Sequence, residues 1–466
     1  MKTLHFALPF VLIAVGCDMS PDYKQPELPV PSEWNTADDA ERDSSHISAI
    51  GWKEFFTSPE LQAVIDAALD NNRDLRIAVL NVEAARALYR IEKADQLLQI
   101  DAAANSSHQH LTEAEGAGPD GRTANHYQAN LASTAFELDL FGRVHNESEA
   151  ALETFFATEA ARDAAQVTLI AETVNAYLQW LVDRETLDLL QRSLASREKS
   201  LELVTARQEI GLSSKLDLAS AQAAVESVKV SRAIYSRFVE EDRNALALLI
   251  GKHDESLLPA EASLENTTIL EDLPIALPSN VLLKRPDVRE AEHQLKSANA
   301  NIGAARAAFF PRITLTGSVG FASNDLGDLF TTEAAGAWSF IPQISIPIFD
   351  NGRNAANLDY SEVRKNIAVA RYEKAIQNGF REVNNSLAAR RLIREQLDAQ
   401  RRLASAREEA YTLAHARYEA GLDSLLESLI AQDDMLAAQQ AEIDALRQEL
   451  SNTVTLYKVL GGGVLR

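Results

Sequence analysis

The sequence predicts a mainly α protein with a small β portion, built as two tandem halves. No glycine or proline stands between Gly142 and Gly211, and one helix of that length would extend roughly 100 Å at ~1.5 Å per residue. The segments ARQEIGLSSKLDLASAQ (206–222) and ARYEAGLDSLLESLIAQ (416–432) align at a constant offset. Short runs of alternating apolar and polar residues recur at the same relative place in each half, as strands require.

Composition excludes several classes of protein. The formal net charge is −23 at pH 7, and binding to nucleic acid needs a basic surface, so no nucleic-acid partner is expected. No apolar run of about 18 residues follows the first sixteen residues, so a transmembrane helix is not expected. The single cysteine excludes a disulfide framework.

The N-terminus has the layout of a secretory signal peptide. Lys2 precedes a short apolar run that ends in the small residues Ala14 and Gly16. The sequence A-V-G-C resembles a bacterial lipobox, which is cut directly before a cysteine that then receives lipids. We therefore expect residues 1–16 to be the signal peptide and Cys17 to carry the lipid anchor. An ordinary signal peptide followed by a cysteine without a role is the alternative.

Residues 17–58 are expected to form a lipid-anchored tether. Its first part is extended because it is rich in proline. The prolines are Pro21, Pro26, Pro29 and Pro31. Asp18 follows the cysteine directly, and in enteric bacteria an aspartate at this position tends to hold a lipoprotein in the inner membrane.

The first half covers residues 59–251, with strands expected at about 98–110 and 126–141. The second of these strands changes its apolar parity near Ser133, which indicates either a bulge or the edge of an apolar band. The long helix after it carries an apolar seam with three- and four-residue spacing, as in a coiled coil. The seam comprises Val167, Ile170, Val174, Tyr177 and Leu181 and continues in a shifted phase through Leu187, Leu190, Leu194, Leu201 and Val204.

A linker, residues 252–283, is expected to join the first half to a second one at 284–463, followed by a short tail at 464–466. Strands are expected in the second half at about 311–323 and 336–349. The junction LDLFGR of the first half matches IPIFDNGR of the second, and NRDLRIA matches KRPDVREA. So many aligned landmarks indicate an internal duplication.

The four strands of one chain are too few to close a barrel. In the last strand Trp338, Phe340 and Ile344 share one face. Exposed strand edges promote aggregation, and a barrel removes them. If these are membrane strands, several copies of the chain must share one barrel.

In their order and spacing, these features resemble the outer-membrane factors, also called outer-membrane efflux proteins, which TolC and OprM typify. The features are the lipobox, PDYKQPELPVP, the two halves, FGR and IFDNGR at strand-to-helix junctions, RPDVREAE, and the terminal LYKVLGGG. The resemblance covers the chain from Cys17 onward and is greatest to the lipidated branch.

This resemblance implies a trimeric channel of the outer membrane. Three copies would form a shared twelve-stranded transmembrane β-barrel, four strands from each chain, and a long α-helical barrel would extend into the periplasm. The homotrimer would serve as exit duct of a tripartite efflux system, with a periplasmic adaptor and an inner-membrane transporter of the resistance-nodulation-division type. It would export small molecules such as drugs or toxic compounds, and it would hold no cofactor.

The resemblance also implies a periplasmic gate at the tips of the two helical hairpins. The matching positions are Tyr418, Asp423 and Glu427, with Asp217 as the counterpart of Glu427 in the first half. In a trimer each carboxylate becomes a ring of three, which would favour cations in a narrow pore.

Helix capping explains the same carboxylates without a gate. Ser214-x-x-Asp217 and Ser424-x-x-Glu427 both match the capping-box pattern, and the two interpretations are compatible. Members of the family often carry a further aspartate three positions after Glu427, where this chain has Ile430.

Two glycines at the tips, Gly211 and Gly421, are expected to adopt positive backbone angles in tight turns. The resemblance places adaptor contacts beside them. The candidates for these contacts are Leu212, Ser213, Leu422 and Ser424.

Other functions remain as alternatives. A periplasmic coiled-coil lipoprotein without a pore would also need the long helices, and a type I protein-secretion duct would share the whole architecture. An enzyme is not expected, because the chain lacks H-E-x-x-H, Walker and G-x-S-x-G motifs. No catalytic residue and no metal ligand is therefore predicted.

Overall fold

A computed structural model describes residues 17–31, 50–112, 114, 120–259, 261–270, 279–331 and 336–463. The expected signal peptide (1–16) and the C-terminal tail (464–466) lie outside the described residues. So do residues 32–49 of the expected tether and residues 260 and 271–278 of the expected linker.

The described chain is mainly helical and contains one small sheet, as expected. The first half contains α1 (Trp52–Phe55), α2 (Pro59–Asn71), α3 (Arg73–Ala94), β1 (Asp101–Leu111), β2 (Arg122–Leu138), α4 (Arg143–Glu209) and α5 (Lys215–Ile250). The second half contains α6 (Pro286–Ala307), β3 (Arg312–Ser323), β4 (Gly336–Ser345), α7 (Arg353–Glu419) and α8 (Leu425–Val459). Short 3₁₀ turns lie at Glu255–Leu257, Ser279–Lys284 and Leu326–Asp328. Because α4 and α7 are both 67 residues long, the duplication is visible in the elements themselves.

Each long helix begins at a capped junction after a strand. Asp139 accepts a hydrogen bond from the backbone N–H of His145 at 2.7 Å at the start of α4. Asp350 does the same for Asn354 at 2.8 Å at the start of α7. A free N–H at a helix start needs such an acceptor. The motifs LDLFGR and IFDNGR are therefore helix-start signals in addition to strand ends.

The four strands form one antiparallel sheet in the order β1-β2-β3-β4. Pairing runs from Asp101 with Ala132 to Leu111 with Arg122 in the first hairpin. In the last hairpin Arg312 pairs with Ser345. This order makes β1 and β4 the edge strands of the sheet. Between the two central strands, β2 and β3, the chain passes through α4, α5 and α6.

A bulge interrupts β2 where its apolar parity changes. The register with β3 shifts between Ser133 and Phe136. Ala135 has a positive φ of 55°, and its N–H donates to the Thr316 hydroxyl at 3.1 Å instead of to the ladder. Of the two interpretations of this parity change, the bulge is confirmed.

The strand ends differ from the expected ones by a few residues. β2 begins at Arg122 and ends at Leu138, earlier than expected at both ends, because the following residues turn into α4. β4 ends at Ser345 rather than near 349.

The sheet has one apolar face and one polar face. Leu131, Val319 and Trp338 lie opposite one another on β2, β3 and β4, and each is more than half exposed. On the other face Ser318 and Ser339 pair, with a hydrogen bond of 2.8 Å between their hydroxyls. This alternation is the pattern of a sheet between an apolar and a polar environment.

The described residues group into two compact units. The first contains Asn81–Thr158, Glu290–Tyr372 and the described part of Met1–Glu27. It holds the sheet. The second contains the described parts of Leu28–Leu80, Glu159–Arg289 and Glu373–Arg466, including both hairpin tips.

The seam on α4 forms part of the interior of the second unit. Its first five members are all buried, between 0% and 3% exposed. Trp180 and Leu178 lie in the same interior. Periodicity therefore identified the buried face of this helix correctly.

None of the helices in the described parts of the chain is both long enough and apolar enough to cross a membrane.

Candidate functional site

The two hairpin tips are built by the same hydrogen bonds. In the first tip the N–H of Leu212 donates to the Arg207 carbonyl at 2.8 Å, and that of Gly211 donates to Gln208 at 3.0 Å. In the second tip Leu422 donates to Arg417 and Gly421 to Tyr418, both at 2.9 Å. This pair of bonds is the Schellman motif, which ends a helix by satisfying its last carbonyls.

Both tip glycines are required by backbone conformation. Gly211 has a φ of +79° and Gly421 a φ of +74°. A Cβ atom on either residue would meet no atom within 4 Å. A larger residue would therefore strain only the backbone, since a positive φ is unfavourable for residues with a Cβ.

In the first tip one carboxylate oxygen of Asp217 accepts the bonds of a capping box. Its Oδ2 accepts from the N–H of Ser214 at 2.9 Å, from the Ser214 hydroxyl at 2.8 Å and from the Ser213 hydroxyl at 3.1 Å. The Ser214 hydroxyl oxygen in turn accepts from the N–H of Asp217. Hydrogen bonds from Ser214 lower the pKa of Asp217 below its ordinary value, so this carboxylate stays ionised and bound.

The second tip uses its two carboxylates differently. Asp423 forms a two-pronged ion pair with Arg417, at 2.5 Å and 3.1 Å. The hydrogen bond from this guanidinium lowers the pKa of Asp423. Glu427 contributes its backbone N–H to the Ser424 hydroxyl at 3.4 Å, and its carboxylate is exposed with no hydrogen bond or ion pair to another described residue. Of the two equivalent positions, only Glu427 thus has a carboxylate free for another role.

The comparison with protein families gives one result for both halves. Residues 64–252 and residues 277–462 match the model of the outer membrane efflux proteins. Together the two stretches make up most of the chain; the first ends one residue after the expected first half, and the second begins seven residues before the expected second half. The chain belongs to the outer membrane efflux protein family.

Individual relatives agree with the family assignment. The probable efflux pump outer membrane protein TtgC of Pseudomonas putida is 44% identical over 451 residues, which are 96% of this chain and 93% of the relative. A membrane protein of Pseudomonas aeruginosa, solved by crystallography, matches with a TM-score of 0.89 and 41% identity over 96% of this chain and 98% of its own. The open-state outer membrane channel MtrE of Neisseria gonorrhoeae matches with a TM-score of 0.88 and 41% identity, over 96% and 99%. The family that the sequence resembles is confirmed.

Tyr418 connects the two hairpins of this outer membrane efflux protein. The Arg207 guanidinium lies 5.3 Å from the centre of its ring, in a cation–π contact. The ring also packs against a cluster of buried residues from α4, α5 and α8. The cluster comprises Val204, Ala221, Leu425 and Leu429. Tyr418 is therefore a packing residue between the halves, in addition to its position at the predicted gate.

The candidate adaptor contacts divide into two kinds. Leu212 and Leu422 are 75% and 68% exposed and offer apolar surface at the tips. Ser213 donates to Asp217, and the hydroxyl of Ser424 accepts from Glu427, so both serines are engaged within the tips. The leucines are accordingly the better candidates for a docking partner.

Sequence reasoning missed an ion pair between the halves. Arg197 on α4 is 2% exposed, and its Nη2 donates to Asp433 on α8 at 2.5 Å. Its Nη1 donates to the Ala224 carbonyl of α5 at 3.3 Å. The Asp433 side chain itself is 65% exposed. An arginine within the apolar seam of α4 was the available signal, because a buried guanidinium requires an acceptor.

Cys17 is exposed and lies beside the first strand-to-helix junction. Its backbone N–H donates to the Leu140 carbonyl at 3.1 Å. Leu140 stands two positions after the end of β2. The residue predicted to carry lipid is thus fixed close to the sheet.

Proposed function

We propose that this chain is one subunit of a homotrimeric outer membrane channel, the exit duct of a tripartite efflux system. An inner-membrane transporter of the resistance-nodulation-division type supplies the energy, and a periplasmic adaptor connects it to the duct. Small molecules such as drugs or toxic compounds pass through passively. The sheet lies in the outer membrane, and the long helices extend into the periplasm.

The names of the relatives support an efflux role. They include an antibiotic, a toluene and a solvent efflux pump outer membrane protein of Pseudomonas putida. Each is 44% identical to this chain over at least 96% of its length. Export of small apolar or amphipathic compounds is therefore favoured over protein secretion.

The edges and the apolar face of the sheet support a barrel shared between subunits. Its edge strands β1 and β4 have no neighbour within the described chain, and its apolar face is uncovered. Unpaired backbone groups cannot face lipid, so a membrane sheet must close on itself. Four strands from each of three chains give the twelve-stranded barrel, with apolar side chains such as Trp338 toward lipid and serines toward the lumen.

The gate and the anchor belong to the same proposal. Three copies of Glu427 form a ring of unpaired carboxylates at the periplasmic end, which attracts cations. Cys17 carries the lipid that ties the trimer to the membrane. Leu212 and Leu422 contact the adaptor.

No chemical step belongs to this function. At the tips the carboxylate of Asp217 caps a helix and that of Asp423 pairs with Arg417. No group of three metal-ligating side chains with suitable geometry occurs in the described residues.

The mass and outline of the purified protein in detergent test the proposal. Light scattering should give three chains of 51.1 kDa, less the signal peptide, and electron micrographs should show a hollow cylinder with a detergent belt at one end. A monomer, or a solid rod without a belt, would exclude a channel and leave a structural coiled-coil lipoprotein.

A further inference from the structure

The expected tether does not hang free in its described first part. Residues 17–25, here called the N-terminal segment, lie along the first unit. The Pro21 carbonyl accepts from Asn299 on α6 at 2.7 Å. Gln25 donates to the Tyr372 hydroxyl of α7 at 2.9 Å. The segment is therefore docked on α6 and α7 by specific contacts.

Asp18 makes the most closely built of these contacts. Asn146 on α4 is 2% exposed, and its Nδ2 donates to Asp18 Oδ1 at 2.8 Å and to the Gly142 carbonyl at 2.6 Å. Asp18 Oδ1 also accepts from the N–H of Ser20 at 2.9 Å, and Oδ2 accepts from the Ser20 hydroxyl at 2.7 Å. Both carboxylate oxygens are thus occupied by protein donors.

Two glycines leave room for this contact. A Cβ atom on Gly303 of α6 would lie 2.6 Å from Cγ of Asn146. A Cβ atom on Gly142 would lie 3.3 Å from Cα of Asp18 and 3.4 Å from the Cys17 carbonyl oxygen. Together with Leu140, which accepts the N–H of Cys17, these residues form a shaped site. We call Leu140, Gly142, Asn146 and Gly303 the N-terminal seat.

The charge of Asp18 suits the seat. Partial burial opposes its ionisation, but the hydrogen bonds from Ser20 and Asn146 outweigh this, and the nearby His145 adds to them, so the pKa of Asp18 lies below its ordinary value. The carboxylate is therefore ionised at neutral pH. Charge-assisted hydrogen bonds of this kind are stronger than neutral ones.

We propose that the N-terminal seat binds the mature N-terminus through Asp18, which fixes where the lipid-bearing residue leaves the fold and withdraws this carboxylate from the membrane surface. The seat accepts an acylated N-terminus, because an amide nitrogen on Cys17 keeps the one N–H that Leu140 accepts. An aspartate next to the anchor is then compatible with the outer membrane, since its carboxylate is bound to protein. Lipidation of Cys17 rests on the proposed function, whereas docking of the N-terminal segment on the first unit does not.

Docking is tested by trypsin on the full-length protein in detergent. Lys24 is an exposed cleavage site within the segment, and cleavage of a docked segment requires it to open. Asp18→Ala should raise the rate of cleavage after Lys24 about tenfold or more, from the loss of charge-assisted hydrogen bonds. Rates are normalised to those of the same variant in denaturant.

The matched control is Asp22→Ala, which removes the same charge from an exposed position of the same segment. It should leave the normalised rate unchanged. If the Asp18→Ala variant is cleaved after Lys24 at the wild-type rate, or if Asp22→Ala raises that rate equally, the proposed docking is wrong.

Withdrawal of the carboxylate is tested by membrane fractionation in an enteric host. Asn146→Ala releases Asp18 without removing its charge, so a share of this variant should move to the inner membrane. The double variant Asp18→Ala/Asn146→Ala should return to the outer membrane. Asn146→Asp, which keeps the volume and repels Asp18, is a second releasing variant in case the first folds poorly.

The experiments distinguish the binding of Asp18 in the seat from lipidation of Cys17. If the releasing variants are cleaved faster by trypsin and still reach the outer membrane in full, the withdrawal of Asp18 is wrong. The mass of the wild-type N-terminal peptide reports lipid on Cys17 independently. A peptide without lipid would contradict the anchor, and the trypsin experiment would still decide whether the segment is docked.

Discussion

At the scale of single residues, two carboxylates at equivalent positions have different roles. Asp217 accepts three hydrogen bonds within the capping box of α5. Glu427 contributes only its backbone N–H to the cap of α8. Because the Asp217 carboxylate is engaged and the Glu427 carboxylate is not, substitutions at the two sites should affect different properties.

Neutralising each carboxylate should separate capping from conduction. Glu427→Gln should lower the cation-over-anion permeability of the channel several-fold without changing its thermal stability. Asp217→Asn should cost about 1 kcal/mol of stability through the weakened cap and leave ion selectivity nearly unchanged. Planar-bilayer recordings and thermal unfolding in detergent measure both quantities. Equal selectivity changes in the two variants would contradict the assignment.

A second residue-scale feature is a pair of carboxyl groups between α4 and α5. Asp242 on α5 and Asp183 on α4 both line a cavity of 610 Å³, together with Glu241, Asp444 and Tyr235. Glu241 pairs with Arg237, and Asp444 pairs with Arg447. Burial, and then the contact with Asp183, raise the pKa of Asp242 to about 7.

The raised pKa of Asp242 predicts a pH dependence of stability. Between its ordinary pKa of about 4 and about 7 the folded protein holds a proton that the unfolded chain releases, so the free energy of unfolding should fall as pH rises through this window. Asp242→Asn should remove the fall and be more stable than the wild type above pH 7. Unfolding temperatures from about pH 5 to pH 8 test this. Asp444→Asn, which leaves the carboxyl pair intact, should keep the slope.

At the scale of elements, the Arg197–Asp433 pair joins α4 of the first half to α8 of the second. Asp433 is 65% exposed but Arg197 is buried, so removal of Asp433 would leave the buried guanidinium without its counter-charge. The adjacent Asp434 pairs with Arg407 at 2.8 Å, and both of those side chains are more than 40% exposed. Neighbouring aspartates on one helix thus provide a matched comparison.

Asp433→Asn should lower the free energy of unfolding by about 1–3 kcal/mol, the cost of weakening a hydrogen bond to a buried charge. Asp434→Asn should lower it by less than about 1 kcal/mol, as for exposed ion pairs. Denaturant unfolding of the detergent-solubilised protein gives both values. Similar values for the two variants would mean that the ion pair of the buried Arg197 does not hold the halves together.

At the scale of the whole molecule, the two faces of the sheet determine how the chain meets its surroundings. Trp338 is 78% exposed on the apolar face, whereas the next residue, Ser339, lies on the polar face and bonds Ser318. A single chain leaves the apolar face uncovered, so lipid and neighbouring subunits must cover it.

A charge on either face distinguishes lipid from lumen. Trp338→Arg should cost up to about 2–4 kcal/mol if the residue lies near the bilayer midplane, and it should reduce the amount of trimer in the outer membrane. Ser339→Arg should assemble like the wild type and change only conduction. Native gels of outer-membrane fractions measure assembly. If Ser339→Arg were the defective variant, the faces would be reversed.

The elements of the fold could be predicted from the sequence because they depend on interactions between residues close together in the chain. Absence of glycine and proline permits α4, and apolar spacing identifies its buried face. Gly211 and Gly421 mark tight turns because positive φ angles strain any residue that has a Cβ. The predicted strand ends were less accurate, since the alternation of apolar and polar residues continues beyond the last paired residue.

Contacts between distant residues were beyond the sequence pattern. Arg197 and Asp433 are 236 positions apart, and Asp18 and Asn146 are 128 apart. The sequence by itself determined the two halves, the long helices, the four strands, the turns and the family. The tertiary structure alone decided that Asp18 is bound by Asn146 and Asp433 by Arg197, and it left the Glu427 carboxylate without a partner among the described residues. The reason is that a side chain's partner depends on which helices pack together, and residues far apart in the chain do not encode that in any local period.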